Sequence, residues 1–377
     1  MGYKKIKNKI GLSGFYIGYY GSVMNEKKGI YGISHIMEHL VCKGIDSLME
    51  DFEMDAVHWN AYTSDKEIVF YMTGMDKKVK KWKKTFFEHL QNFNITEEQF
   101  QNEKKIVIEE YKDSFNKQSD SHMQNLFRKL YDNYEAIGLL EDLEGLTLKD
   151  CQDFFELQYR RPSMIVDISR SSDKKMEEFF SNVEFDNKTY DKKLEFKLNE
   201  NFLYEKGNKY KDKTSIINLS PIIRDDFAYM EFITRMLGGG LKSPLYQEVR
   251  ENNGLVYYFH CYNRDVTNNS TVVVFETETS NGNVDKVQSI VKNIIDNPDK
   301  YLTKKRFDIT KKYYKNKFEK ENIMLHNNGY KFIELEHFSL EKILPTLTYE
   351  DVRRVYDKYF HFDEFYQSID KKEFEGK

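Results

Sequence analysis

The sequence is short of cysteine and of long apolar runs, and each shortage excludes a class of protein. Its 377 residues contain three cysteines, Cys42, Cys151 and Cys261, which are scattered and form no C-x-x-C pair. This usage argues against a disulfide framework or a cysteine-rich metal site and suits a reducing compartment. No run of 18 apolar residues occurs, so no transmembrane helix is predicted. We therefore expect a cytoplasmic protein that does not enter a membrane.

The charge balance gives no sign of a nucleic-acid partner, because the formal net charge is only −4. Two lysine-rich stretches, 77–84 and 304–320, have helical periodicity and are interpreted as the solvated faces of helices. The apolar run that ends near Val23 is broken by glycines and tyrosines, so it predicts a strand over 13–23 and not a signal peptide.

The length predicts two domains of about 190 residues each. Prolines are few, with five in the chain, and strand and helix patterns alternate in both halves, which favours an α+β fold for each. A polar, lysine-rich interval at 186–213 separates the halves, and it predicts an N-terminal domain over 1–190 and a C-terminal domain over 191–377. Strands are predicted near 60 and at 67–73, 164–168, 216–219, 255–264 and 271–278, and helices around 35, at 47–57, 77–84, 96–111, 120–133, 148–159, 228–237, 284–296 and 304–320.

A five-residue stretch, His35-Ile36-Met37-Glu38-His39, carries the strongest chemical signal in the chain. It lies on a predicted helix, where residues four apart share one face. His35 and His39 can therefore bind one zinc ion. Glu38 projects on the same side and can take a proton from a metal-bound water. This is the zincin motif H-E-x-x-H in reverse order.

A zinc ion bound by two histidines needs one further protein ligand and leaves a position for water. Glu103 and Glu110 lie seven residues apart on a predicted helix, so both point the same way, and Ile106 and Val107 are expected to anchor that helix. Glu109 points elsewhere, and it is the competing ligand if the helix register differs.

These segments together resemble the pitrilysin and insulinase-like zinc peptidases, the inverzincins, whose relatives include the mitochondrial processing peptidase. The similar segments occur in the family's order over about residues 13–360, and they are Gly32–Gly44 for the zinc helix, Asn60–Ser64 for the substrate-side strand, Glu103 with Glu110, Tyr159–Met164, and Leu237–Tyr257 for the second-domain signature.

The resemblance implies a role for each matching residue. His35, His39 and Glu110 would bind zinc, Glu38 would be the general base, and Glu103 would support the site. The strand containing Asn60, Ala61 and Tyr62 would take the substrate as an added β-strand. Arg250 and Tyr257 would hold the substrate and stabilise the developing oxyanion.

At the level of the molecule, the resemblance implies two related α+β sandwich domains, each a mainly antiparallel sheet covered by helices. Together they would form one half of a clamshell that closes on a peptide as a homodimer or as a heterodimer with a related subunit. The expected activity is zinc-dependent endopeptidase cleavage of short or unfolded peptides, including leader peptides.

Two other functions and two departures from the family pattern accompany this expectation. The chain could be a non-catalytic partner subunit, or a peptide-binding module that keeps zinc for stability. The N-terminus looks short, because the family usually has a further strand before the equivalent of residues 13–23. The interval from His39 to Glu110 is also slightly short.

Overall fold

The computed structural model describes residues 2–8, 11–115, 118–131, 136–188, 203–204, 213–267, 270–323 and 340–370. These fall into two compact units. The first comprises the described parts of Met1–Asp113, Tyr134–Asp191 and Lys320–Glu336, and the second those of Ser114–Asn133, Lys192–Glu319 and His337–Lys377. Most of the interval 186–213 lies outside the described residues, so the domain division at 190/191 stays a prediction.

The first unit is built on a five-stranded sheet with the order β1-β5-β2-β4-β3. Neighbouring strands are antiparallel except for β1 and β5, which run parallel. The strands are β1 (Gly2–Lys7), β2 (Leu12–Tyr20), β3 (His58–Thr63), β4 (Glu67–Met75) and β5 (Met164–Ser169). The helices are α1 (Ile33–Lys43), α2 (Met49–Met54), α3 (Asp76–Leu90), α4 (Glu97–Ser114), α6 (Leu140–Gly145), α7 (Leu148–Gln158) and α8 (Lys174–Ser181).

The second unit repeats this plan with the sheet order β6-β10-β7-β9-β8, in which only β6 and β10 run parallel. Its strands are β6 (Leu203–Tyr204), β7 (Lys213–Leu219), β8 (Val256–Thr267), β9 (Ser270–Ser280) and β10 (Tyr366–Asp370). Its helices are α5 (Gln118–Tyr131), α9 (Met230–Gly238), α10 (Val284–Ile295), α11 (Pro298–Tyr301), α12 (Lys304–Ile323, whose end lies in the first unit), α13 (Leu340–Ile343) and α14 (Tyr349–Tyr359). The prediction of an α+β fold with two structurally related halves is thus confirmed.

The repeat extends to individual contacts. The side chain of Lys104 on α4 donates to the carbonyl of Leu146 (2.9 Å), and that of Lys311 on α12 donates to the carbonyl of Leu347 (2.7 Å). Each leucine precedes a threonine that opens the following helix, α7 or α14, with a capping box completed by an aspartate. An equivalent hydrogen bond therefore joins α4 to the start of α7 in the first unit and α12 to the start of α14 in the second.

A strand does precede residues 13–23, so the expectation of a short N-terminus is wrong. Strand β1 pairs with β5 along its whole length. The Tyr3 hydroxyl and the Lys5 ammonium donate to Asp167 Oδ2 over 3.1 and 3.2 Å, and Lys83 donates to the other oxygen (2.6 Å). The buried carboxylate of Asp167 thus compensates the charges of Lys5 and Lys83. The lysines of Gly2–Lys7 gave no strand pattern in the sequence, although the segment forms β1.

Each sheet has a helix-covered face with its own apolar core. In the first unit, α1 packs inward through its buried Ile33, Ile36, Met37 and Leu40. The same packing leaves His35, Glu38 and His39 on the opposite, partly exposed face of the helix. Burial of one face therefore decides which side chains remain available for chemistry.

Within the described residues, no helix combines the length and the apolar composition that a membrane span requires.

Candidate metal centre

Helix α1 begins at a backbone position that only glycine readily adopts. Gly32 precedes the helix with φ +98°, and it has no side chain to cap the free N–H groups of the first turn. The buried carboxylate of Glu26 replaces the missing cap. Its two oxygens accept from the backbone N–H groups of Gly32 and Ser34, both at 2.9 Å. The helix that carries the motif thus has a fixed start.

The two motif histidines lie side by side, with ring centroids 4.9 Å apart. Glu110 on α4 reaches both: its Oε2 is 3.4 Å from His35 Nε2 and 3.8 Å from His39 Nε2. One donor atom from each of the three residues lies within 4.8 Å of the others. Among the described residues this is the only such group of histidine, cysteine or acidic side chains.

Helix α4 faces α1 through a stripe of residues three or four apart. Phe100, Glu103 and Val107 are buried, and Glu110 continues the stripe to the partly open end, where its side chain is 47% exposed. Glu109 lies outside the stripe and pairs with Lys112 at 2.6 Å. Ile106, predicted as an apolar anchor, is 46% exposed, so that prediction is wrong.

Glu103 contacts His39 on the side of the ring that faces away from Glu110. Its Oε2 lies 3.3 Å from His39 Nδ1, the nitrogen on the far side of the ring from Glu110, and its Oε1 lies 3.3 Å from the ammonium of Lys43. Lys43 also pairs with Asp46 at 3.2 Å. This chain of contacts fixes the ring of His39 and compensates the charge of a buried carboxylate. The role of Lys43 was not predicted, although it lies four residues after His39 on the same helix face.

Glu38 projects beside the histidines, and the hydroxyl of Thr63 on β3 donates to its Oε2 over 2.6 Å. Burial raises the pKa of Glu38, whereas the Thr63 hydrogen bond and the nearby His39 lower it. Burial, assisted by the neighbouring His39, lowers the pKa of His35 to about 4. His35 is therefore neutral at neutral pH, the form in which an imidazole can bind a metal.

The donor set fits zinc. Two imidazole nitrogens and one carboxylate oxygen are a recurrent combination in catalytic zinc sites. Ligand atoms about 2.0–2.1 Å from a tetrahedral ion lie about 3.3 Å from one another. The distances from Glu110 to the two histidines are 3.4 and 3.8 Å. All three donor atoms lie within 4.8 Å of one another, and the two Glu110 distances are close to the separation expected around one ion.

The predicted substrate-side residues lie on β3, which is an edge strand of the first sheet. Asn60 is exposed, and Ala61 and Tyr62 are partly exposed. The backbone N–H of Ala61 donates to the side-chain oxygen of its neighbour Asn60 (2.9 Å). It therefore points to the open side of the strand, where an added strand would pair.

Arg250 and Tyr257 lie in the second unit, Arg250 on a π-helix (Tyr246–Glu251) and Tyr257 on β8. The guanidinium of Arg250 is 4.9 Å from the ring centroid of Tyr246 and 5.2 Å from that of Tyr257. Tyr257 is 80% exposed, so it is not a core aromatic residue. An aromatic ring and a cation at the surface form a pair that can contact a ligand.

Among the described residues of the second unit, no second group of three metal donors occurs at the corresponding position. Three and ten residues beyond Phe100, helix α4 carries Glu103 and Glu110, whereas at the same distances beyond Phe307, α12 carries Thr310 and Lys317. Lys317 pairs with Glu231 at 3.1 Å. The two units thus share a scaffold, and within the part of the chain that the structure describes the donor set occurs in the first.

Comparison with known proteins finds two family models along the chain. The model described as insulinase (peptidase family M16) matches residues 8–141, and the model described as the peptidase M16 inactive domain matches residues 146–314. The first contains the candidate metal centre, and the second covers most of the described part of the second unit.

Two curated relatives and one solved structure illustrate the similarity. An uncharacterized zinc protease of Rickettsia felis is 22% identical over 293 residues, which cover 70% of this chain and 66% of that relative. The uncharacterized zinc protease YmxG of Bacillus subtilis is 22% identical over 350 residues, 88% of this chain and 85% of that relative. The crystal structure of a protease from Helicobacter pylori superposes with a TM-score of 0.82 at 18% identity, covering 97% of this chain and 96% of that one, and so shows the shared fold.

Proposed function

Because the chain belongs to the insulinase family of peptidases, family M16, we propose that it is a zinc-dependent endopeptidase acting on short or unfolded peptides. The observation that carries the proposal is that donor atoms of His35, His39 and Glu110 lie within 4.8 Å of one another. Glu38 lies beside them and is not one of the three proposed metal ligands. A purely structural zinc site has no use for a free base next to the metal.

In this proposal His35, His39 and Glu110 hold the ion, and Glu103 keeps the ring of His39 in the orientation that binding requires. Zinc, when bound, supplies Lewis-acid polarisation of the scissile carbonyl and lowers the pKa of a water molecule to about 7. Glu38 takes the proton of the attacking water and passes it to the leaving amine. Burial raises the pKa of Glu38 and so shifts it towards the working pH, the direction that favours a group acting first as base and then as acid.

The peptide is proposed to bind as an added strand along the open edge of β3, next to Asn60, Ala61 and Tyr62. Main-chain pairing of this kind holds an extended peptide largely irrespective of its side chains, which suits a broad range of substrates. A peptide can occupy an edge strand only where it is unfolded, so folded proteins are excluded as substrates. Arg250 and Tyr257 are proposed to hold the peptide, either in the same chain or in a homodimeric or heterodimeric partner.

The test is cleavage of a mixed pool of unstructured peptides by the purified chain, with Glu38→Gln as the matched variant. Both proteins are loaded with zinc, and their metal content is measured. We expect the wild type to cut and Glu38→Gln to lose at least about 100-fold in rate, because general-base catalysis typically contributes 10²–10⁴-fold. Mass spectrometry of the fragments then gives the cleavage specificity.

A result in which both proteins hold zinc and neither cuts would contradict the proposal for the chain alone. The remaining candidates would then be a non-catalytic partner subunit or a peptide-binding module. Peptide binding measured by fluorescence anisotropy distinguishes these two, since only the module binds peptides without a partner.

A further inference from the structure

The hydroxyl of Thr63 links the proposed base of the metal centre to the sheet. It donates to Glu38 Oε2 over 2.6 Å. Glu38 lies on α1 and Thr63 is the last residue of β3, so the contact joins the motif helix to the edge strand. Distances of 2.5–2.7 Å are typical of hydroxyl donors on ionised carboxylates, which are among the stronger hydrogen bonds in proteins.

The position of Thr63 is itself fixed by the turn that follows. The backbone N–H of Ser64 donates to the carbonyl of Glu67 (2.8 Å), and the hydroxyl of Ser22 donates to the carbonyl of Ser64 (2.6 Å). Thr63 pairs with Ile68 of β4 in the regular register. A β-branched side chain also has few χ1 rotamers. The hydroxyl is thus a fixed donor, whereas Glu38 has a flexible side chain.

A bond to one carboxylate oxygen leaves the other oxygen of Glu38 free to accept a proton. Proton transfer requires the acceptor to lie about 2.6–3.2 Å from its partner, and geometric errors of about 1 Å can cost as much as 100-fold in rate. A carboxylate released from Thr63 could rotate about its χ angles and lose this geometry without any loss of the metal.

We infer that Thr63 is a positioning residue that orients Glu38 for proton transfer. This inference rests on the proposed function and deepens it, because it gives β3 two roles. Its open edge accepts the peptide, and the side chain at its end orients the base. Thr63 and Ala61 share one face of the strand, as period-two alternation requires, so the residue that orients the base lies on the strand that is proposed to receive the substrate.

The test uses Thr63→Val, which keeps the shape and the strand preference but removes the hydroxyl, and Thr63→Ser, which restores it. Thr214→Val is the matched control: it removes a strand hydroxyl that donates to Asn281 Oδ1 over 2.7 Å in the second unit. With the best peptide from the pool, we expect Thr63→Val to lower kcat about 10–100-fold with KM nearly unchanged, the range found when residues that support a metal site are removed. Thr63→Ser should recover most of the rate, and Thr214→Val should keep it.

Zinc content and thermal melting establish that each variant is folded and loaded. Crystal structures of Thr63→Val and Thr63→Ser give a readout that does not require activity. We expect the Glu38 carboxylate to leave its position in the valine variant and to keep it in the serine variant. If the wild type fails to cut peptides, the proposed function fails, but the two structures still decide the role of Thr63.

The inference would be overturned if Glu38 keeps its position in Thr63→Val, or if Thr63→Ser loses as much kcat as Thr63→Val. A loss confined to KM would also overturn it, since that would assign Thr63 to substrate binding.

Discussion

At the scale of single residues, the candidate metal centre depends on which of two adjacent glutamates faces α1. Glu109 and Glu110 differ by one position, about 100° around the helix. Glu110 continues the stripe begun by Phe100, Glu103 and Val107 and approaches both histidines, whereas Glu109 forms an ion pair with Lys112 at the surface. The competing ligand proposed from the sequence is therefore turned away from the donors.

The two glutamates form a natural pair for mutation. We expect Glu110→Gln to weaken zinc binding by at least tenfold, because it replaces a charged donor of the proposed three-residue set. Glu109→Gln should leave zinc affinity unchanged, since an exposed ion pair has little effect on a neighbouring site. Competition titration with a chromophoric chelator measures both. Equal affinities for the two variants would exclude Glu110 as a ligand.

At the scale of elements, the entry to α1 requires close backbone packing. Gly32 and Gly138 face each other: a methyl group added at Gly32 would lie 2.8 Å from Leu143 Cδ2 and 3.1 Å from Gly138 Cα. Gly138 also has a positive φ, +70°. The loop before α1 therefore packs against the segment before α6 so closely that a side chain at Gly32 or Gly138 would clash with the neighbouring backbone. This contact fixes where the motif helix starts.

Gly32→Ala can be compared with Gly29→Ala, because the two glycines have similar φ angles, +98° and +92°, but Gly29 has nothing within 4 Å of an added methyl group. Gly29→Ala should destabilise the protein by about 1–2 kcal/mol, the cost of a left-handed conformation for alanine. Gly32→Ala should add about 1–3 kcal/mol for overpacking and should also lower zinc affinity. Urea denaturation measures the free energy of unfolding of both variants. Equal losses would show that the crowding at Gly32 is relieved at no cost.

Much of the element pattern could be predicted because it is local. The helix around His35, the helix opened by Thr96 and the strands at 67–73 and 271–278 follow from apolar period and capping residues. A capping box opens the second of these helices, since the Gln99 side chain accepts from the Thr96 N–H over 2.9 Å and the Thr96 hydroxyl accepts from the Gln99 N–H over 3.2 Å. Strand β1 was missed because its lysines obscure the apolar alternation, and helix α8 because its eight residues make only about two turns. Their formation depends on partners that are distant in sequence.

At the scale of the whole molecule, the two units do not follow chain order strictly. Helix α5 comes from the first half of the chain but belongs to the second unit. Its Met123, Leu126, Phe127 and Leu130 pack on the sheet of that unit. Within the same buried interface, His122 lies between two hydroxyls, with Nδ1 2.9 Å from Ser215 Oγ and Nε2 2.8 Å from Ser368 Oγ.

The burial of His122 predicts that the folded protein loses stability in acid. Burial lowers the pKa of His122 to about 3, well below its unfolded value of 6.5. The contribution of neutral His122 is therefore fully present above pH 6.5 and is lost as the pH falls towards 3, at a rate of up to about 1.4 kcal/mol per pH unit.

Urea denaturation at pH 7 and pH 5 tests this expectation. The free energy of unfolding of the wild type should fall by on the order of 1–2 kcal/mol more than that of His122→Gln. His361→Gln, which removes an exposed histidine, should behave like the wild type. The same pH dependence in His122→Gln and in the wild type would refute the role of His122.

The sequence by itself determined the features that depend on local geometry. Two histidines four residues apart on an amphipathic helix must share a face, and two glutamates seven apart must point the same way, because both follow from the pitch of the helix. The α+β class and the two-part organisation follow from periodicity, length and the resemblance of the second half to its family.

Only the tertiary structure decided how these parts meet. It turned Glu110 towards the histidines and Glu109 away, joined Glu103 to Lys43, and brought Thr63 within 2.6 Å of Glu38. These contacts depend on how α1, α4 and β3 pack against one another, and packing is a property of the whole core. Spacing along the chain does not encode it, because residues 25 to 75 positions apart become neighbours only when the core closes.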